Sequence, residues 1–65
     1  MQIVLNGKPR EVAGQRLDRV LAELGYHEAK VATAVNGAFV ARGLRGDTTL
    51  AAGDRVEVIA PMQGG

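Results

Sequence analysis

The residues of this 65-residue chain best suited to chemistry are its last two, Gly64 and Gly65. A glycine carboxylate has no Cβ beside it, so a Gly-Gly tail can enter a narrow channel and take backbone angles closed to other residues. A free α-carboxyl titrates near pH ~3.3–3.7, which leaves an anionic oxygen nucleophile at neutral pH. At average glycine usage, two glycines fall together at a given pair of positions roughly once in two hundred chains. The rest of the sequence offers little competition. Cysteine is absent, which excludes a disulfide framework and a thiolate metal site. His27 is the one histidine and has no clustered carboxylates beside it, so a loop position past a helix accounts for it. Thr48-Thr49 has no neighbouring base to activate a hydroxyl. No phosphate loop of the G-x-x-x-x-G-K type is present.

Composition narrows the class further. Eight basic and seven acidic residues give a net charge of +1, largely interspersed, and Tyr26 and Phe39 are the whole aromatic complement. Only the stretch from Lys30 through Arg42 to Arg45 lacks an acid. A nucleic-acid binder normally carries a stronger basic bias with aromatics to stack on bases. The apolar content of 46% argues for a compact aliphatic core rather than disorder. No apolar run of ~18 residues and no leader pattern is visible. A cytoplasmic protein with no nucleic-acid or membrane partner, monomeric by itself, is the expectation.

The elements that must carry the tail can be read from pattern. Ile3 and Leu5 alternate with Gln2, Val4 and Asn6, and Asn6-Gly7 is a two-residue hairpin signal, so residues 1–12 read as a hairpin with Pro9 on an edge. Leu17, Val20, Leu21 and Leu24 fall at helical spacing, predicting a helix over Arg16–Leu24 with Asp18 in its first turn and Gly25 as its stop. Val31–Val35 and Phe39–Ala41 read as short strands about a second turn, Asn36-Gly37. Residues 43–49 read as irregular, and Leu50 as a core plug before the Gly53-Asp54 turn. Arg55–Ala60 reads as the final strand, with Val56, Val58 and Ala60 facing one way and Arg55, Glu57 and Ile59 the other. Pro61 ends the pairing because it has no N–H to donate. The order β-β-α-β-β-β predicts an α+β roll: a mixed sheet of four to five strands with one main helix, the β-grasp pattern. Residues 1–60 would form the domain and residues 61–65 a flexible tail ending in Gly-Gly.

Those residues also carry a resemblance. The opening Met1-Gln2-Ile3-Val4-Leu5-Asn6-Gly7, the Val35-Asn36-Gly37 turn, Arg42 after the strand holding Val40, Leu50 with Gly53-Asp54, and the closing Pro61-Met62-Gln63-Gly64-Gly65 resemble the ThiS family over essentially the whole chain. These are the ubiquitin-like sulfur carriers of thiamine biosynthesis. The sequence departs from the family's usual Val-Pro-Arg at Ala41, and from its usual serine or acidic residue at Gly43. The resemblance implies a protein that is substrate rather than enzyme and binds no cofactor of its own. An E1-like adenylyltransferase would use ATP and Mg to adenylate the Gly65 carboxylate. A persulfide-bearing sulfur donor would convert it to a thiocarboxylate, and thiazole synthase would take the sulfur. Gly64 would keep access to Gly65 open. The tail from Pro61 onward can extend about 17 Å at ~3.3–3.6 Å per residue, enough to reach a buried partner site.

A carrier also needs a docking face. Strand alternation puts Val4 and Ile59 opposite the core, Phe39 and Met62 could extend an apolar patch there, and Arg42 could meet an acidic group. Two alternatives remain at this level. The small subunit of molybdopterin synthase is similar, with a terminal thiocarboxylate of its own, but is usually longer. From a different class, Arg16–Gly25 followed by Val35-Asn36-Gly37 is similar to the S4 RNA-binding domain. That family inserts a second basic helix where this chain has only Tyr26 to Ala34.

Overall fold

A computed structural model describes residues 1–26 and 30–60. In chain order it contains β1 (Gln2–Leu5), β2 (Lys8–Glu11), α1 (Leu17–Glu23), β3 (Ala32–Val35), β4 (Ala38–Val40), a 3-10 helix (Arg42–Asp47) and β5 (Arg55–Ile59). The five strands form one sheet in the order β2-β1-β5-β3-β4. β5 pairs parallel with β1 and antiparallel with β3, so the last strand lies at the centre of a mixed sheet.

Both hairpins turn as their dipeptides require. Asn6 and Gly7 have φ of 48° and 83°, and Asn36 and Gly37 have 50° and 84°. Two successive positive φ values give the type I′ turn, whose twist matches that of the flanking strands. In β1, Ile3 and Leu5 are buried while Val4 points to the other face. β2 is an exposed edge strand, which is why it tolerates Pro9 opposite Val4.

The helix buries Leu17, Val20 and Leu21 against the sheet, with Leu24 packed partly beside them. It is shorter by one residue at each end than the periodicity suggests, because Arg16 and Leu24 are its caps. Past Leu24, Gly25 takes φ +91°, the Gly25 N–H donates to the Ala22 carbonyl and the Tyr26 N–H donates to the Leu21 carbonyl. That pair of bonds is a Schellman cap, which a residue with a Cβ would strain. The start of the helix is tied to the segment before β5: the Leu17 N–H donates to the Thr48 carbonyl and the Leu50 N–H to the Gln15 carbonyl. At its end, the Glu23 carboxylate accepts from the Ala13 and Gly14 N–H groups at 2.9 and 3.0 Å and closes the loop from β2.

The core is Ile3, Leu5, Val12, Leu17, Val20, Leu21, Leu50, Val56 and Val58, with Leu50 plugging it as its position suggests. Three expectations need correction. Residues 42–47 form a 3-10 helix rather than an irregular loop. Its footing is Arg45, whose guanidinium donates to the hydroxyl of the buried Thr33 and to the Val31 carbonyl. Of the strands flanking the second turn, the first starts one residue late, at Ala32, and ends at Val35 as expected, and the second is shifted one residue toward the turn, to Ala38–Val40. The last strand stops at Ile59, and Ala60 is exposed rather than facing the core with Val58.

Candidate functional site

The terminal residues proposed as chemical, Gly64 and Gly65, lie outside the described residues, as do Pro61, Met62 and His27. What the structure supplies is the platform from which residues 61–65 depart. β5 is the central strand, hydrogen-bonded on both sides, and Val56 and Val58 anchor it in the core. A tail leaving from the middle of a sheet rather than from an edge starts from one of the most constrained backbone segments in the fold.

One face of the sheet is covered by the helix and the other is open. Register places Gln2 and Val4 on the open face with Pro9, Ala32, Ala34, Phe39, Arg55, Glu57 and Ile59. Phe39 is 73% exposed and Ile59 61%. Between them lie the small side chains of Ala32, opposite Ile59, and Ala34, opposite Phe39. The result is a shallow apolar strip with a bulky side chain at either end. Val4 does not join it. It is half-buried and sits beside Arg55, four residues from Ile59 along β5, or about 13 Å at ~3.3 Å per residue. Arg55 and Glu57 interrupt the apolar surface between them. The open face is therefore an apolar strip on β3–β4–β5, bordered by charge on the β1 side.

Arg42 is elsewhere. It opens the 3-10 helix and, with Asp18, Leu21, Tyr26 and Arg45, lines a shallow pocket of about 170 Å³ on the helix-covered side. The five docking candidates thus divide: Phe39 and Ile59 together, Val4 apart on the same face, Arg42 on the opposite layer, and Met62 outside the described residues. Alternation could place Val4, Phe39 and Ile59 on a face. It could not show that Arg42, two residues past the end of β4, turns under the sheet.

Sequence reasoning also missed the two turn asparagines as structural ties. Asn36 accepts a hydrogen bond from the Arg55 N–H at 2.9 Å, and its amide donates to Asp54. Asn6 bonds both main-chain groups of Val58, 52 positions away. The turn signal accounts for their positive φ; nothing in the local sequence indicates which strand their amides reach.

Two carboxyls are held below the usual carboxylate range. For Glu23 the cause is the N–H of Ala13, followed by that of Gly14. For Asp54 it is the Ala51 N–H, followed by the Asn36 amide. Both are braces of loops rather than acids poised for proton transfer. Among the described residues there is no grouping of His, Cys, Asp or Glu that could hold a metal, and no helix long and apolar enough to cross a membrane.

A profile of the ThiS family matches residues 3–65, which includes the terminal Gly-Gly. The sulfur carrier protein ThiS of Thermus thermophilus is 45% identical over 62 residues, covering 94% of this chain and 95% of that protein. A thiazole synthase from Magnetococcus marinus is 41% identical over 66 residues, covering 100% of this chain. This chain spans 20% of that longer protein. Among solved structures, the crystal structure of a thiamine biosynthesis protein (ThiS) from Geobacter metallireducens superposes with a TM-score of 0.85 at 33% identity, covering both chains completely. A solution structure of a thiamine biosynthesis protein from the same organism gives 0.80 at 32%, covering 100% of this chain and 88% of that one. These likenesses establish the β-grasp, ubiquitin-like fold, and they leave the RNA-binding alternative without support.

Proposed function

This chain belongs to the ThiS family of ubiquitin-like sulfur carriers of thiamine biosynthesis, and from that premise we propose that Gly65 is the residue that carries the sulfur. Family membership makes it a non-catalytic carrier acted on by other proteins. Residues 1–60 serve as the handle and residues 61–65 as the reactive tail. An E1-like adenylyltransferase, with ATP and Mg, attaches AMP to the Gly65 carboxylate and releases pyrophosphate. The activation is needed because a carboxylate is a poor electrophile and AMP is a good leaving group. Hydrosulfide displaces AMP directly to leave a thiocarboxylate; a persulfide donor displaces AMP to form an acyl disulfide, whose S–S bond a thiol then cleaves, releasing the thiocarboxylate and a disulfide. Thiazole synthase takes the sulfur. The charge that develops on phosphate is met by the partner's metal and cationic groups, and Gly64 leaves room for the nucleotide beside the backbone.

The observation that carries this reading is the family match running through residue 65, joined to a relative of nearly the same extent named as a sulfur carrier. The thiazole synthase relative supports the choice of consuming partner, because a stretch like this chain occurs within a protein of that name. The apolar strip of Phe39, Ala34, Ala32 and Ile59 serves as the docking face. Met62, outside the described residues, is proposed as a further apolar contact, while Val4 on the same face and Arg42 on the helix side make separate contacts. The protein works in the cytoplasm as a monomer between partners.

The test is intact mass spectrometry after incubation with the adenylating enzyme, MgATP and sulfide. The expected product gains the mass of one oxygen exchanged for sulfur, located by fragmentation on Gly65. Deleting Gly65 should abolish the gain and leave thermal stability unchanged, since the last residue of a domain generally adds little to its stability. No mass gain in the intact chain under conditions where a known carrier is loaded would refute the assignment.

A further inference from the structure

β1 and β5 pair in parallel at only two positions, Val4 opposite Arg55 and Leu5 opposite Val56. The ladder there is regular: the Val4 N–H donates to the Asp54 carbonyl and the Asn6 N–H to the Val56 carbonyl, both at 2.9 Å. If β1 continued, the carbonyl of residue 6 would accept from the Val58 N–H, and the N–H of residue 8 would donate to the Val58 carbonyl. Neither happens, because Asn6 takes φ 48° and the chain turns into β2. The Asn6 side chain replaces both bonds. Its Oδ1 accepts from the Val58 N–H at 2.9 Å, and its Nδ2 donates to the Val58 carbonyl at 3.3 Å. One amide thus stands in for the next turn of a parallel ladder.

The location gives this substitution its consequence. Val58 is the last core residue of β5, Ile59 is the last strand residue, and Ala60 is exposed. Among the described residues, the Asn6 amide is the final tie on the β1 side, and on the β3 side only Ile59 opposite Ala32 lies beyond it. A notch of about 190 Å³, lined by Val4, Asn6, Gly7, Arg55, Val56 and Glu57, marks where β1 peels away from β5. Without the amide nothing else in β1 bridges that gap at Val58.

We propose that Asn6 is a positioning residue for sulfur loading: its side chain clamps the end of β5 and sets the direction in which residues 61–65 leave the domain. This rests on the reading that Gly65 is the acceptor. A clamped exit presents a tail of set origin to the partner, whereas a frayed one must be re-ordered on entry at an entropic cost.

The variants must separate the amide from the backbone angle, so glycine is used, which accepts φ > 0 without strain. Asn6→Gly removes both bonds. Asn6→Asp keeps the acceptor for the Val58 N–H and loses the donor. Asn36→Gly is the matched control, because it removes a turn amide that grips β5 at its opposite end. Hydrogen exchange should show the Val58 amide losing protection in Asn6→Gly and keeping it in Asn36→Gly. In the sulfide-loading assay, with all variants folded, Asn6→Gly should lose roughly tenfold in kcat/KM, the factor that ~1.4 kcal/mol represents. The loss should fall mainly on KM, since a seated tail reacts as before, and Asn6→Asp should recover part of it. Unchanged Val58 exchange in Asn6→Gly, or loading kinetics equal to those of Asn36→Gly, would overturn the clamp. If the unmutated chain takes no sulfur, the positioning role falls with the Gly65 assignment. The exchange data then still report whether the amide holds β5, which tells the two failures apart.

Discussion

Thr33 is the most instructive single side chain to change. It is 1% exposed, yet its hydroxyl is fully used: it donates to the Val40 carbonyl at 2.9 Å and accepts from Arg45 Nε at 3.0 Å. Replacement by valine keeps the shape and removes both bonds. The neutral bond contributes about 1 kcal/mol and the one from the guanidinium about 1.5–3 kcal/mol. Arg45 keeps its bond to the Val31 carbonyl and is only half-buried, so the second figure belongs at its lower end. The new methyl returns about 0.8 kcal/mol of apolar burial. The expected cost of Thr33→Val is therefore about 1–3 kcal/mol. With a urea slope near ~1 kcal/mol/M for a domain this small, the midpoint falls by about 1–3 M. Equilibrium unfolding followed by far-ultraviolet circular dichroism reads this directly. Thr33→Ser, which keeps the hydroxyl, should cost about 1 kcal/mol for the lost methyl. A double-mutant cycle with Arg45→Met, which keeps much of the aliphatic stem, should show a coupling of about 1 kcal/mol. Sulfur loading of the folded variant should match that of the unmutated chain, because Thr33 points away from the open face. A Thr33→Val protein as stable as the parent, or a coupling of zero, would refute the argument that this hydroxyl foots the 3-10 helix.

Other outcomes follow from the same geometry. The folded Glu23 carboxyl titrates below its ordinary value, so its stabilisation is present above the unfolded value of ~4.3 and is lost as pH falls through the lower folded one. The gap in urea midpoint between parent and Glu23→Gln should thus be largest at neutral pH and close as pH falls below the ordinary carboxylate range, and a gap independent of pH would count against the brace to Ala13 and Gly14. Ile59→Asp should leave the unfolding free energy within about 0.5 kcal/mol, as for an exposed site, while weakening binding to the adenylating partner by calorimetry. Phe39→Ala should weaken the same interaction by ~1 kcal/mol or more, and normal affinity in both variants would remove the strip as the docking face.

Much of this was open to local reading. The two Asn-Gly pairs predict hairpins because only residues tolerant of φ > 0 make a type I′ turn, and both turns form as expected. The stripe of Leu17, Val20, Leu21 and Leu24 predicts a helix and its buried side together, and the alternation of Val56 and Val58 predicts the core face of the last strand. These features repeat with the period of one element, so a short window of sequence contains them. The 3-10 helix was not legible, because residues 42–47 have neither period; what steadies them is Arg45 reaching a hydroxyl on β3.

The sequence by itself determined the order of strands and main helix, the core faces of β1, α1 and β5 as far as Val58, and the Gly-Gly ending, since each depends on residue type and near-neighbour spacing. Only the tertiary structure decided that the last strand is the central one, that Phe39 and Ile59 share a strip from which Val4 is set apart, and that Arg42 lies on the other layer. It alone brings Asn6 to Val58, a contact between residues 52 apart. The physical reason is the same in each case: strand neighbours and amide partners are chosen by how the whole sheet closes its hydrogen bonds, a condition no local window contains.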